Sequence, residues 1–172
     1  MNYKDYIAIK EDFPKKGISF KDITPLIGDK DAFAQAIKEM GAFAKSLGAN
    51  VIVGPESRGF IFGCPIAVEE GMGFVPIRKP GKLPREVISK EYTLEYGKNV
   101  LEMHKDAIKP GDKVVIVDDL LATGGTVAAA RDMIESLGGI LVGCVFVVEL
   151  TELKGREYFK DVPVMSLVEY PY

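Results

Sequence analysis

From Asp31 onward, Phe33, Ile37, Met40, Ala44 and Leu47 recur three and four positions apart, which places them on one face of a helix, and Gly48 follows where a left-handed residue would end it. The pattern then changes. Val51 to Val53, Val114 to Val117 and Ile140 to Val148 are continuous, largely β-branched runs, as strands buried on both faces of a parallel sheet require, and FVPI at 74–77 has the same character. Between them GFIFGCPIAVEEG and GGTVAAARDMIESLGG read as helices, with Val127, Ala130, Ile134 and Leu137 lining one face of the second before Gly138. Strand and helix therefore alternate. Right-handed crossovers wind such a chain into an α/β fold, a doubly wound, mainly parallel sheet flanked by helices, whose ligands gather beyond the carboxyl ends of the strands.

Two stretches escape the alternation. Residues 1–30 are broken by Pro14, Gly17, Pro25 and Gly28 into short pieces, as a small N-terminal hood would be. Residues 80–100, PGKLPREVISKEYTLEYGKNV, are polar with weak strand-like patches, which predicts a flexible flap or β-ribbon. The length of 172 residues fits one domain over 1–172.

Composition narrows the partners. A net charge of −3 gives no basic footprint, so no nucleic-acid partner is expected. No apolar run reaches bilayer length and none opens the chain, so neither membrane insertion nor export is expected, and the cytoplasm is the default compartment. Cys64 and Cys144 lack any CxxC or Cys/His pattern and read as reduced, buried thiols. The single histidine, His104, stands among charges in EMHKD and reads as a surface side chain, which argues against histidine-based catalysis.

The segment richest in chemistry is VVIVDDLLATGGT, residues 114–126. An apolar strand ends in adjacent carboxylates, Asp118 and Asp119, and passes through Ala122, Thr123, Gly124, Gly125 and Thr126 into a helix. Glycines let successive N–H groups converge on one anion, and the helix start adds its partial positive charge. The threonine hydroxyls add donors, and ionised carboxylates accept from vicinal sugar hydroxyls. A ribose 5-phosphate lying across the turn satisfies all of these groups. A bare TGGT would equally suit a solvated turn with a threonine cap, but the preceding strand and acidic pair set that aside. The P-loop pattern GxxxxGK[ST] is absent, and Gly71 and Gly73 supply only a fragment of GxGxxG, before a strand and not after one. A phosphoacceptor receiver fold would carry its acidic pair after the first strand, and too little chain follows this one to complete such a sheet.

This segment resembles the phosphoribosyl-pyrophosphate motif of the type I phosphoribosyltransferases. FPKKGISFKDITPL, GPESRGFIFG, IRKPGKLP, YTLEYGK and VVELTELKGRE are similar, in order, to segments of the members of that family that act on adenine, from about residue 11 to the end. The resemblance implies the type I phosphoribosyltransferase fold and transfer of a 5-phosphoribosyl group from phosphoribosyl pyrophosphate to adenine, giving AMP and pyrophosphate in purine salvage. It implies that Arg58, Arg78, Lys79 and Lys82 bind pyrophosphate, where fixed cations stabilise the charge that develops on the leaving group. It makes Phe20 the stacking partner of the purine, with backbone groups of Ile18, Ser19 and Lys21 nearby and Leu150 over the other face. The typical form has arginine where Lys21 stands, which puts a bidentate role of that side chain in doubt. Glu95 and Tyr96 would belong to the lid, with Glu95 handling the proton of the base. The catalytic candidates are thus Arg58, Glu95, Asp118 and Asp119. The Pro55-Glu56-Ser57 turn resembles one that contains a non-proline cis peptide. Members are typically homodimers, and apolar residues near Phe60 and Phe62 are the candidate interface.

Mg²⁺ is expected to bridge the diphosphate and the ribose hydroxyls, with no protein ligand beyond a water held by Asp118 or Asp119. Oxopurine enzymes of the wider class place a lysine after the last core strand, whereas Phe146 to Leu150 offers no cation, which favours adenine. Lys154 lies near enough to keep a six-oxo purine open, and a phosphoribosyltransferase for another base, such as hypoxanthine, xanthine or orotate, is one further class. A non-catalytic sensor of phosphoribosyl pyrophosphate is the other class left.

Overall fold

In the computed structural model, which describes residues 1–94 and 97–172, the apolar runs form a five-stranded, wholly parallel sheet. The hood comes first: a 3-10 turn at Tyr3–Tyr6, an antiparallel pair of short strands, β1 (Ala8–Lys10) and β2 (Phe20–Asp22), and α1 (Thr24–Gly28). The Asp29 carboxylate accepts from the amides of Asp31 and Ala32 and so starts α2 (Lys30–Ser46), and Gly48 at φ +76° lies beyond its end as expected. Then follow β3 (Val51–Pro55), α3 (Arg58–Glu70), β4 (Gly73–Ile77), the flap strands β5 (Val87–Leu94) and β6 (Gly97–His104), β7 (Lys113–Leu121), α4 (Gly125–Ser136), β8 (Ile140–Leu150) and β9 (Val164–Tyr170).

The sheet order is β4-β3-β7-β8-β9, with β7 in the centre. Its side chains alternate between two cores. Val115 and Val117 pack with α2 and α3, while Val114 and Ile116 pack with α4 through Val127, Ala130, Met133 and Ile134. This two-sided burial is why the run carries no polar alternation. Strand β9 carries no such signature and is not anticipated by the apolar pattern. It is an edge strand, mostly half-buried, and Ser166 and Glu169 interrupt its apolar residues.

The flap is an antiparallel ribbon reaching His104, rooted by a backbone pair between Arg78 and Glu102. It leans on α4, where Lys90 Nζ lies 3.2 Å from an Asp132 carboxylate oxygen.

Three expectations change. Cys144 is buried, but Cys64 is exposed, because α3 turns Phe62, Gly63, Ile66 and Ala67 inward and leaves position 64 outside. His104 is not a surface side chain: it ends β6 half-buried, and its Nε2 is buried without a hydrogen-bond partner. Phe62 is fully buried and so drops out of the candidate interface, whereas Phe60, edge-on to Phe74 at 5.6 Å, is half-buried. The outward apolar residue of α3 is Val68, 84% exposed.

Candidate active site

The carboxyl ends of β3, β4 and β7 converge on one cleft. Beyond β7 the chain turns through Thr123 and Gly124 into α4, with Gly124 at φ +89°, a backbone state that favours glycine. There is also no room for more. A Cβ on Gly124 would lie 2.8 Å from Tyr158 Cδ2 and 3.0 Å from the Gly155 carbonyl oxygen. A Cβ on Gly155 would lie 2.6 Å from the Ala122 carbonyl oxygen. The short turn Gly155–Phe159 therefore backs the loop at contact distance.

That backing turn is itself tied down. Glu149 on β8 is 4% exposed, and Arg156 Nε donates to both of its carboxylate oxygens, at 2.9 and 2.8 Å. Arg156 Nη1 donates to the Val164 carbonyl at 2.8 Å, and Ser166 Oγ donates to Glu149 at 2.9 Å. The buried carboxylate is thus paired and hydrogen-bonded, as burial of a charge requires.

The two aspartates, neighbours in sequence, occupy different environments. Asp119 is 6% exposed and accepts from Arg58 Nε at 2.5 Å, which joins the β7 end to the first residue of α3. Its backbone amide donates to Asp118 Oδ1 at 2.8 Å. Burial, and then the adjacent Asp119 charge, push the Asp118 carboxyl well above the usual carboxylate range. Gly59 makes the approach possible, since a Cβ there would lie 2.9 Å from Pro55 Cδ and 3.2 Å from Asp118 Oδ1.

The sign of that shift sets a prediction. A carboxyl whose folded pKa is raised adds stability below its unfolded pKa and loses it as pH rises through the folded value. Asp118 therefore costs the fold stability at neutral pH. Asp118→Asn should melt at a higher temperature than wild type near neutrality, with the gap closing towards acid pH. Parallel Tm-against-pH curves for the two proteins would dismiss the assignment.

The cleft has two lobes. One of about 310 Å³ is lined by the loop from Ala122 to Thr126, with Tyr92 and Asn99 of the flap over it. The other, about 380 Å³, is lined by Glu56, Ser57 and Lys79. Arg58, Asp118, Asp119 and Thr126 border both. The Glu56-Ser57 peptide is cis.

Of the expected pyrophosphate cations, Arg58 and Lys79 line the cleft. Arg78 is turned to Glu56, its Nε donating at 3.2 Å, and its guanidinium sits 5.9 Å from the Phe60 ring centroid. Lys82 is exposed in the following loop. The Lys79 amide, donating to Glu56 Oε1 at 2.8 Å, does most to hold that carboxyl below its ordinary pKa, with Arg78 adding to it.

At the hood, Phe20 is half-buried and its ring meets Phe13 edge-on at 5.3 Å, with Ile18 exposed beside it. Lys21 Nζ donates to Ser19 Oγ at 2.6 Å and stands 5.0 Å from the Tyr170 ring centroid. Tyr170 is the register partner of Leu150, so Lys21 brings β2 to the end of β8, where Leu150 is half-buried. Glu95 and Tyr96 lie outside the described residues.

Sequence reading missed Tyr92, Asn99 and the Gly155 turn. Strand alternation shows that β5 has two faces but not which one meets α4, whereas Gly155 carried a legible turn signal, although the left-handed residue of that turn is Lys154, at φ +58°. Among the described residues no three metal-binding side chains cluster. Two carboxylates at the mouth of a glycine-rich loop fit a hard cation that draws most of its ligands from oxygens outside the protein.

The chain matches the family model described as the phosphoribosyl transferase domain over residues 27–170. It is 61% identical over 170 residues to the adenine phosphoribosyltransferase of Lactobacillus gasseri, which covers 99% of this chain and 97% of the relative. The crystal structure of adenine phosphoribosyltransferase from Thermoanaerobacter pseudethanolicus superposes with a TM-score of 0.93 at 51% identity over 97% of each chain. The Trypanosoma brucei adenine phosphoribosyl transferase, solved with AMP, pyrophosphate and ribose-5-phosphate, superposes with a TM-score of 0.88 at 27% identity, over 97% of this chain and 78% of its own.

Proposed function

The chain belongs to the phosphoribosyltransferase family, and from that premise we propose that it transfers the 5-phosphoribosyl group of phosphoribosyl pyrophosphate to N9 of adenine, releasing AMP and pyrophosphate. The observation that carries the reading is full-length identity of 61% to adenine phosphoribosyltransferases, in a chain whose cleft has one lobe on a phosphate loop and another beside Arg58 and Lys79.

In this reading the loop Ala122–Thr126 holds the 5-phosphate and the aspartate pair receives the ribose hydroxyls. N9 attacks the anomeric carbon as the bond to pyrophosphate breaks, through a transition state with oxocarbenium character, and the base loses a proton. Arg58 and Lys79 stabilise the charge on the departing diphosphate, with Arg78 and Lys82 at its margin. Phe20 and Leu150 bracket the purine, and Glu95 takes its proton. No covalent intermediate with the protein is required.

Mg²⁺ would neutralise the diphosphate, and a water on it would be within the province of Asp118 or Asp119. A homodimer in the cytoplasm completes the reading. No helix among the described residues is long and apolar enough to cross a membrane, and Val68 offers an exposed apolar side chain on α3.

Incubation with Mg²⁺, phosphoribosyl pyrophosphate and each base in turn tests the reading through nucleotide formation. AMP from adenine, with no nucleotide from hypoxanthine, xanthine or orotate, is the expected result. Comparable turnover of an oxopurine would move the base assignment. Binding of phosphoribosyl pyrophosphate with no turnover of any base would identify a sensor.

A further inference from the structure

We propose that Tyr92 is a positioning residue for the sugar 5-phosphate, acting through Thr126: its hydroxyl fixes the threonine hydroxyl as a donor into the phosphate loop. The proposal rests on the phosphoribosyl-transfer reading above and deepens it. Tyr92 is on the flap, 34 positions from Thr126, yet its hydroxyl oxygen lies 3.0 Å from Thr126 Oγ1. Asn99, opposite Tyr92 on β6, donates from Nδ2 to the Tyr92 hydroxyl at 3.3 Å.

Either hydroxyl can donate across the 3.0 Å contact, and the bond from Asn99 favours one order. The Asn99 Nδ2 group can only donate, so Tyr92 accepts from it, and the phenol proton is free to go to Thr126 Oγ1. Thr126 then accepts on the flap side, which leaves its single proton for an acceptor on the loop side. A phosphate oxygen is such an acceptor, and the first lobe of the cleft lies there. The ring contributes as well. It packs over the first residue of α4, where a Cβ on Gly125 would lie 3.2 Å from Tyr92 Cδ2, so the flap meets the loop at the turn where α4 presents its free amides.

The same flap makes a second contact with α4, between Lys90 and Asp132, but both side chains are about half exposed. An exposed pair of this kind contributes little. The two contacts therefore separate simple docking of the flap from orientation of Thr126.

The test compares wild type, Tyr92→Phe and Lys90→Ala. The readouts are KM for each substrate and the Kd of ribose 5-phosphate and of inorganic pyrophosphate, measured calorimetrically. Loss of one oriented hydrogen bond should raise the KM for phosphoribosyl pyrophosphate and the Kd for ribose 5-phosphate about three- to tenfold in Tyr92→Phe. Its KM for adenine and Kd for pyrophosphate should stay within about twofold, as should every constant of Lys90→Ala.

Unchanged ribose 5-phosphate binding in Tyr92→Phe overturns the proposal, as does an equal loss in Lys90→Ala or a wild type that does not bind ribose 5-phosphate. A wild type that binds ribose 5-phosphate but makes no AMP defeats the transferase reading instead, and the binding arm still decides the role of Tyr92.

Discussion

Asp119→Asn should lower kcat/KM for phosphoribosyl pyrophosphate by about a hundredfold, the scale of losing one buried, charge-assisted hydrogen bond. The Asp119 carboxylate does two things that an amide, with no charge and a single acceptor oxygen, does less well. It holds Arg58 through Nε at 2.5 Å, and its charge is the main cause raising the Arg58 pKa. It also offers acceptors where sugar hydroxyls are expected. The folded state should survive, because an amide of the same shape keeps the packing of β7. The measurement is steady-state kinetics on a variant whose circular dichroism and Tm match a folded protein. Wild-type kinetics from such a variant would remove the aspartate pair from the mechanism.

Gly155→Val should destabilise the fold by about 2–3 kcal/mol, a fall of roughly 5–10 °C in Tm, as overpacking a closed contact does. The first added atom already falls 2.6 Å from the Ala122 carbonyl oxygen and 2.8 Å from Leu121 Cδ1. Neither can retreat easily, since Leu121 is fully buried and the Ala122 carbonyl belongs to the loop backbone. The displaced loop should also weaken ribose 5-phosphate binding. A variant that melts within about 1 °C of wild type would show that the turn does not press on the loop in solution.

How much was legible beforehand differs element by element. The strands of the sheet centre were legible because β7 and β8 are buried on both faces, which leaves no polar residue to obscure the run. Strand β9 was not, because an edge strand need only be half apolar and Ser166 serves Glu149. The acidic pair was legible as a unit, but not the division within it. Asp119 is paired with Arg58, 61 positions away, and Asp118 owes its raised pKa first to burial and then to Asp119. Tyr92 was invisible for a related reason: only the docking of the flap on α4 chooses which face of β5 meets Thr126.

The Arg156 clamp carries a consequence for how the protein comes into being. Arg156 reaches from Glu149 on β8 to the Val164 carbonyl on β9, and the turn it secures presses against Gly124 of the Ala122–Thr126 loop. A growing chain that has finished β7, the loop and α4 still lacks the strand that holds this turn in place. Nascent chains stalled before residue 164 should therefore be unable to retain ribose 5-phosphate, although the loop proposed to hold it has already been synthesised. On the ribosome, substrate recognition would arrive late and all at once, with the docking of one edge strand.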